Sequence, residues 1–338
     1  MTTMAQDEIT EINQAVGKRW RSIDPLLPDP GDLPESCGAL LVSPGHNGRP
    51  AGLALCRHQH VPADSLAQTW DAATKFTLTI RLPEADTKAA ADDLLTQWRD
   101  HLAELPEAAT EPAREPATEP AREPAREDDT AAVVTWPSRD VSGGLLALMR
   151  HGLQPISVIA VRQAGRPVPD HGQTSDLVIR QATLADRDNV AKLELGVIHY
   201  DAHFGAAIPR PATPALVHNN TSQALEQRPD WTWLATYRGR PVGLAVVEPP
   251  AEAAWIAGMT RPGRTVYLSS MFIAPGERGS GTGAKLITHV HHALDERGID
   301  LTLLHYATLN PLSGPFWHRM GYRPLWSTWE AHPASTLR

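Results

Sequence analysis

A glycine-rich turn between a strand-like and a helix-like segment constrains the fold of this chain more than any other feature. Residues 266–273 form an apolar, strand-like run, and residues 286–294 carry an apolar side chain at every fourth position, as a helix does. In the turn between them, Gly279, Gly281 and Gly283 occupy alternate positions. Glycine lets the backbone approach a ligand closely, and the first N–H groups of a helix lack partners within it. The turn therefore predicts a phosphate or pyrophosphate site.

The order of the glycines separates this turn from two common nucleotide loops. No Lys-Ser/Thr pair follows, as a Walker loop requires, and the turn lies late in the chain, unlike a dinucleotide loop. The order Arg-x-x-Gly-x-Gly, which begins at Arg278, resembles the acetyl-CoA pyrophosphate loop of the GNAT superfamily of N-acetyltransferases. Residues 272–275 resemble the end of that family's preceding strand, with its aliphatic-x-Pro step.

Three further motifs follow the order expected in this family. Residues 177–182, before Asp186, look like the opening strand, and residues 231–247 look like a hairpin with a glycine turn. Residues 310–322 are similar to the family's Asn-x-x-Ala-x-x-Phe-Tyr-x-x-x-Gly-Phe segment. The resemblance covers residues 176–332 and implies an α/β (α+β) fold, in which a twisted, mixed and mostly antiparallel sheet is flanked by helices.

The chain also repeats itself. Residues 49–55 match residues 240–246 at five of seven positions, and residues 149–155 parallel residues 318–324. Between these echoes, a strand-like run and a helix-like run stand in the order expected for the phosphate-loop strand and its helix. The repeat predicts two GNAT-like domains in tandem.

The predicted domain layout gives the two copies different roles. Residues 1–162 form a degenerate GNAT-like domain, residues 163–176 a linker, and residues 177–332 the acetyl-CoA-binding domain. In the first copy, residues 84–91 replace the glycine loop with a segment that has two acids and no glycine, so we expect it not to hold acetyl-CoA in the usual way. Residues 110–130 are rich in Glu, Pro, Ala and Arg and are predicted to be an extended, solvated loop.

The resemblance implies a set of cofactor contacts. Backbone amides of the loop would face the pyrophosphate, the preceding strand would pair with the pantetheine arm, and two residues of the last motif would contact the pantetheine or thiol end. Two alternatives stay open: the arginine either contributes charge or braces the loop, and the asparagine also suits a helix N-cap. The implied residues are Met271, Phe272, Ile273, Arg278, Gly279, Ser280, Gly281, Thr282, Gly283, Ala284, Asn310 and Ser313.

The residues for proton transfer depart from the family pattern. Amine acetylation needs a base for the ammonium and an acid for the departing thiolate. Trp317 stands where relatives often carry the acidic tyrosine, which leaves Tyr306, Tyr322, His318 or a water as the acid, and Tyr306 is our choice.

The base is also displaced from its usual place. Ser269 and Ser270 occupy much of the strand region where relatives place a carboxylate. Glu248, at the end of the preceding strand, is the candidate base, although a solvated strand-end glutamate is the alternative reading. At least one of His199, Tyr200 and His203 is expected to line the acceptor cleft.

The bulk composition excludes several functions. The net charge of −8 and pI near 6.0 do not favour nucleic-acid binding. Cys37 and Cys56 provide no disulfide framework or metal cluster and predict a reducing cytoplasm. No apolar run reaches the roughly 18 residues that a membrane span needs, and no secretory signal is visible.

The predicted function is N-acetyl transfer from acetyl-CoA, as cosubstrate, to a small-molecule amine, by direct attack and without a metal. The chain is expected to be a monomer or a homodimer with no nucleic-acid or membrane partner. Two alternatives remain: a non-catalytic acyl-CoA-binding or regulatory protein, and a tandem acetyltransferase like mycothiol synthase, which also pairs a degenerate half with an active one.

Overall fold

The computed structural model describes residues 6–33, 38–45, 49–84, 87–105, 129–167 and 176–338. Cys37, residues 110–128 of the predicted extended loop and residues 168–175 of the predicted linker lie outside these ranges. None of the helices in the described ranges is long and apolar enough to cross a membrane.

The described ranges contain both strands and helices. The strands are β1 (Ala39–Pro44), β2 (Pro50–His60), β3 (Thr74–Arg81), β4 (Thr130–Pro137), β5 (Gln154–Gln163), β6 (Leu177–Gln181), β7 (Thr232–Tyr237), β8 (Arg240–Glu248), β9 (Thr265–Ile273), β10 (Leu301–Ala307) and β11 (Arg323–Ala331). The helices are α1 (Gln6–Ile23), α2 (Lys88–Ala103), α3 (Gly144–Arg150), α4 (Arg187–Ala202), α5 (Thr213–Gln227), α6 (Ala254–Ala257), α7 (Thr282–Glu296) and α8 (Ser313–Arg319).

The chain divides into two compact units. Unit 1 comprises Met1–Ile156 and Trp326–Arg338, and unit 2 comprises Ser157–Leu325. In unit 1 the strand order is β1-β2-β3-β4-β11, and of these described pairs β3–β4 is parallel and the others are antiparallel. Its core lies where α2 and α3 cover the sheet, around the fully buried Leu94, Leu95 and Trp98.

Unit 2 has the same plan with one more strand. Its order is β5-β10-β9-β8-β7-β6, and within the part that the structure describes β9–β10 is the parallel pair and the other pairs are antiparallel. Helix α7 buries Leu286, Ile287, Val290 and Leu294, the residues whose spacing predicted it, and Gly298, with φ of 68°, follows its end. The predicted fold class, α/β (α+β) with mixed and mostly antiparallel strands flanked by helices in each unit, is confirmed.

Corresponding glycines show that both units use one packing arrangement. A Cβ on Gly52 of β2 would lie 2.5 Å from Leu82 Cδ2, and a Cβ on Gly243 of β8 would lie 2.7 Å from Ile273 Cδ1. In each unit a glycine therefore makes room for the aliphatic side chain at the end of the neighbouring strand. These two positions are the ones that the sequence repeat aligned.

The units differ from the predicted domain boundaries of 1–162 and 177–332. Strand β5 pairs with β10 from Ser157 to Gln163, so most of it belongs to unit 2. Strand β11 pairs with β4 from Trp326 to Ala331 and belongs to unit 1. The boundaries differ because hydrogen bonding to a partner strand, and not position along the chain, decides which unit a terminal strand joins.

Candidate active site

Strands β9 and β10 diverge and open a cleft in the sheet of unit 2. Their parallel pairing begins at Thr265 with Leu301 and ends at Tyr267 with Leu303. Beyond this point β9 continues to Ile273 and β10 to Ala307. The backbone of β9 that faces the opening is therefore free to pair with an extended ligand.

A β-bulge lies beside the start of this opening. In the β8–β9 pair, Val246 faces Ser270 while Val247 faces Leu268, so Ser269 is the extra residue. The Ser269 hydroxyl donates a hydrogen bond to the Val246 carbonyl at 3.3 Å. Bulges re-aim neighbouring side chains, and here the bulge separates the core-facing first part of β9 from the part that borders the cleft.

The glycine loop leads from β9 into the N-terminus of α7. Gly279 and Gly281 have φ of 79° and 85°, which side chains with a Cβ rarely adopt. Among the described residues, no heavy atom outside the chain neighbours lies within 4 Å of the Cβ position of either glycine. This open space shapes the loop for close approach of a ligand.

Gly283, the third glycine of the loop, allows close packing instead of leaving open space. A Cβ on Gly283 would lie 3.2 Å from Met271 Cε and 3.3 Å from Ile273 Cγ1. The absent side chain lets the first turn of α7 pack closely against the end of β9. This contact places the helix N-terminus beside the cleft.

Arg278 braces the loop. Its Nε donates to the Ile273 carbonyl at 3.0 Å, and its guanidinium lies 4.3 Å from the Tyr200 ring centroid and 5.3 Å from that of Phe272. Within the loop, the Ser280 hydroxyl donates to the Glu277 carbonyl at 2.7 Å. Of the two alternatives for Arg278, the structure thus shows the bracing contact.

Asn310 and Ser313 lie at the start of α8, after β10. The buried Asn310 side chain accepts hydrogen bonds from the backbone N–H of Leu312 at 3.1 Å and of Ser313 at 3.3 Å. The Asn310 oxygen thus satisfies two backbone N–H groups in the turn that leads into α8, although Leu312 and not Asn310 holds the N-cap position of that helix. Its Nδ2 donates a long hydrogen bond of 3.5 Å to Asp201 Oδ1.

Glu248 ends β8 directly opposite Tyr267 of β9. Trp255 Nε1 donates to Glu248 Oε2 at 2.9 Å. Burial raises the pKa of Glu248, whereas the Trp255 hydrogen bond and the charge of Arg228 lower it, with a net upward shift. A raised pKa suits a carboxylate that must accept a proton near neutral pH.

Three rings, those of Tyr267, His305 and Trp255, pack together next to Glu248. The Tyr267 hydroxyl and His305 Nδ1 are 3.0 Å apart, and the Trp255 ring stacks on His305 with an interplanar angle of 6°. Burial, followed by the charges of Glu248 and Asp201, holds the pKa of Tyr267 well above its ordinary value. Sequence reasoning did not single out Tyr267, His305 or Trp255.

Tyr306 lies in the diverged part of β10. Its ring packs against the hydrophobic core of unit 2, 3.7 Å from the Cβ position of Gly314, and lies 6.4 Å from the His318 ring. Burial raises the pKa of Tyr306. Trp317 is 6% exposed, and its ring contacts that of Tyr322, so neither side chain opens onto the cleft.

Two carboxylates on α4 were missed by the sequence analysis. Glu194 accepts a hydrogen bond from the Thr221 hydroxyl and another from Ser270, and burial raises its pKa. Asp201 lies in the last turn of α4 beside Asn310, and burial raises its pKa to about 6. The available signal was an acid in the last helical turn, where the helix dipole disfavours negative charge.

The three residues at the end of α4 that were predicted near the acceptor take different places. Tyr200 lies under the Arg278 guanidinium, while His199 and His203 are exposed. Among the described residues, no group of three or more His, Cys, Asp or Glu side chains is arranged to hold a metal ion.

Comparisons with known proteins agree with this geometry. The acetyltransferase (GNAT) family profile matches residues 201–322. A GCN5-related N-acetyltransferase from Sphaerobacter thermophilus superimposes with a TM-score of 0.51 at 12% identity, covering 87% of this chain and 81% of its own. No curated protein sequence matches the chain.

Two other solved structures cover nearly the whole chain. A GNAT-family acetyltransferase from Colwellia psychrerythraea has a TM-score of 0.46 and 11% identity, covering 98% of this chain and 97% of its own. A tandem GNAT protein from the clavulanic acid biosynthesis pathway has a TM-score of 0.43 and 12% identity, with 97% and 96% coverage.

Unit 2 therefore contains a GNAT acetyltransferase domain, and the chain is an acyltransferase. Acetyl-CoA is the acyl donor typical of this family.

Proposed function

We propose that unit 2 transfers the acetyl group of acetyl-CoA to an amine of a small molecule, by direct attack of the amine on the thioester. The observation that carries this proposal is the divergence of β9 from β10 next to the glycine loop. The unpaired backbone of β9 can pair with an extended arm, and the N–H groups at the start of α7 can bind a pyrophosphate.

The residues of the site fit acetyl-CoA. The open space at Gly279 and Gly281 suits the pyrophosphate, and the divergent part of β9, from Met271 to Ile273, suits the pantetheine arm. Asn310 and Ser313, at the start of α8, are proposed to contact the thiol end. The free cysteine of the described residues, Cys56, is buried in unit 1 with a pKa raised to about 11, so no thiolate there supports a covalent acetyl intermediate.

Glu248 and Tyr306 remain the proposed proton-transfer residues from the sequence. Glu248 has the stronger support, because its carboxylate is partly buried beside Tyr267 and has a raised pKa. In this role it takes one proton from the acceptor ammonium. Tyr306 lies near the start of α8, where it is proposed to donate to the thiolate.

Unit 1 is proposed not to bind acetyl-CoA in the corresponding place. Arg19 of α1 pairs with Asp140, donates to the Ser142 hydroxyl at 2.9 Å and reaches the Leu82 carbonyl at 3.5 Å. The Thr87 hydroxyl, just before α2, lies 2.7 Å from the same Ser142 hydroxyl. These contacts tie together the ends of β3 and β4, the position equivalent to the cleft of unit 2.

Isothermal titration of acetyl-CoA into the wild type and Gly281→Glu tests the proposal. The substitution places a negative charge at the pyrophosphate position and a Cβ at φ of 85°, and we expect affinity to fall by roughly 100-fold. Gly239→Glu is the matched control, because Gly239 also has positive φ and open space but lies in the β7–β8 turn. Its affinity should stay within about 3-fold of the wild type.

Two outcomes would count against this assignment. A wild type that does not bind acetyl-CoA contradicts it, and equal losses in both glutamate variants contradict the placement of the cofactor at this loop. Binding without turnover of any amine would instead support the alternative of a non-catalytic acyl-CoA-binding protein. A tandem acetyltransferase like mycothiol synthase remains a narrower version of the same proposal, which an amine-acceptor screen decides.

A further inference from the structure

Asp201 occupies a position that is unfavourable for a carboxylate. It lies in the last turn of α4, where the carbonyl end of the helix disfavours negative charge. The side chain is partly buried, and it forms no ion pair with any described residue. An acid kept in such a place without a cation is the kind of local conflict that occurs at functional sites.

Asp201 reaches across the opening between the diverging strands. Helix α4 packs against β9, whereas Asn310, which contacts Asp201, follows β10. The Asn310 oxygen already accepts two backbone hydrogen bonds at the start of α8, so its Nδ2 is left to point at Asp201. The carboxyl group therefore lies at the cleft, near the proposed thiol contact.

The surroundings of Asp201 keep it titratable near neutral pH. The groups that face it are Tyr267 on β9, with Glu248 on β8 within electrostatic reach of the same tyrosine, and the neutral amide of Asn310. Its neighbours along the chain, His199 on α4 and His203 just after it, are exposed. Burial raises its pKa to about 6, and the Asn310 hydrogen bond opposes this shift only in part.

The equivalent position in unit 1 holds an ion pair between Arg19 and Asp140. Asp140 follows β4 as Asn310 follows β10, and both side chains accept the backbone N–H two residues on, at 3.0 Å from Ser142 and 3.1 Å in the case of Asn310. In unit 1 the helix that reaches this position supplies Arg19 and forms an ion pair. In unit 2 the helix supplies Asp201, which has no cation to neutralise it. The unit with the glycine loop thus keeps a free proton acceptor where the other unit has a closed pair.

We propose that Asp201 is a catalytic residue that carries a proton from the acceptor nitrogen to the sulfur of CoA. Resting on the acetyl transfer proposed above, the step follows loss of the first ammonium proton to Glu248 and then to solvent. As the N–C bond forms, the nitrogen releases its second proton to an Asp201 carboxylate oxygen. As the C–S bond breaks, this proton passes to the sulfur, which leaves as the thiol.

This assignment accounts for the missing acidic tyrosine, and it replaces Tyr306 as the proposed donor of the proton to the thiolate. Trp317, at the usual position, is buried in the core, and Tyr306 packs against the core on the side of α8. A carboxyl group with a pKa near 6 is ionised when it must accept the proton. Its acid form can protonate a thiolate, because it is a stronger acid than a thiol, whose ordinary pKa in cysteine is about 8.5. Asp201 can therefore serve both halves of the transfer.

The test measures acetyl transfer by Asp201→Asn and Asp201→Ala, with an amine that the wild type acetylates. We expect kcat to fall by roughly 100-fold in both variants, while KM for acetyl-CoA changes less than about 3-fold. In the wild type, kcat should fall as the pH drops below about 6 and Asp201 becomes protonated, and this fall should be weaker in both variants. Added formate should restore activity to Asp201→Ala in a concentration-dependent way, because a small acid can then enter the cleft. Glu226→Gln, an exposed acid on α5, is the control and should keep wild-type rates.

The possible results are distinct. Asp201 variants with more than half of the wild-type kcat, or a defect that formate does not relieve, would overturn the proposed proton transfer while leaving acetyl transfer intact. A wild type that acetylates no amine, although it binds acetyl-CoA, would overturn the proposed function and this inference with it. Titration calorimetry of acetyl-CoA into Asp201→Asn shows that the variant is folded and the cofactor site intact.

Discussion

At the scale of single residues, the site of unit 2 contains buried charge that weakens the folded state. Asp201 and Glu248 both have raised pKa values, with burial as the largest cause. Groups of this kind are frequent at functional sites, where activity conflicts with stability. The sequence pointed to Glu248 because Ser269 and Ser270 occupy the usual place of the carboxylate and Glu248 ends the preceding strand. It did not point to Asp201, because the burial of a helix-end acid depends on what packs against it.

The raised pKa of Asp201 predicts that Asp201→Asn stabilises the protein in a pH-dependent way. The folded state binds this proton more tightly than the unfolded state, so the stability contributed by the acid form is present below about pH 4 and is lost as pH rises through 6. Above pH 6 we expect the variant to exceed the wild type by roughly 1–3 kcal/mol in free energy of unfolding, and near pH 4 to match it. Urea unfolding at pH 4 and at pH 7.5 measures both values. A variant less stable than the wild type at pH 7.5 would contradict the assigned burial of this charge.

At the scale of elements, the cleft depends on the bulge in β9. Side chains on a strand alternate between two faces, so one extra residue changes which face the following side chains occupy. Before Ser269, Val266 and Leu268 are buried, and after it Met271 contacts the position of Gly283. The sequence predicted the strand and the helix after it, but the register break depends on pairing with β8, a separate segment.

Deletion of Ser269 should abolish acetyl-CoA binding. Without the extra residue, one part of β9 must slip by one position, which turns either its buried side chains or its cleft-facing residues to the wrong side. Ser269→Ala is the matched control, because it removes only the hydroxyl and keeps the residue count, and its affinity should stay within about 5-fold of the wild type. Titration calorimetry and circular dichroism report binding and fold. Normal binding by the deletion variant would rule out a role for the bulge.

At the scale of the whole molecule, the two units do not follow the chain in simple order. Strand β5 completes the sheet of unit 2 although it precedes the predicted linker, and β11 completes the sheet of unit 1 although it comes last. Local periodicity identifies such strands but does not say which partner they pair with. The predicted domain 177–332 therefore lacks β5 of unit 2, and the predicted domain 1–162 lacks β11 of unit 1.

Fragments of the chain test this assignment. A fragment of residues 157–325 retains the β5 segment that pairs with β10, whereas the predicted domain 177–332 lacks it and leaves an unpaired edge on β10. We expect the first fragment to be soluble and to bind acetyl-CoA, and the second to aggregate or to bind at least 10-fold more weakly. Size-exclusion chromatography and titration calorimetry compare them. Equal behaviour would show that β5 is dispensable for unit 2.

The sequence by itself determined the local elements, the glycine loop, the repeat and the class of enzyme, because each of these is recognised from short runs of residues. The apolar face of α7 follows from residue type and spacing alone, and glycine at position 281 permits the φ of 85° found there. Tertiary structure alone decided the register at Ser269, the exchange of β5 and β11, and the environment of Asp201. Each of these depends on which distant segment supplies the hydrogen bonds or excludes the water, and no local pattern carries that information.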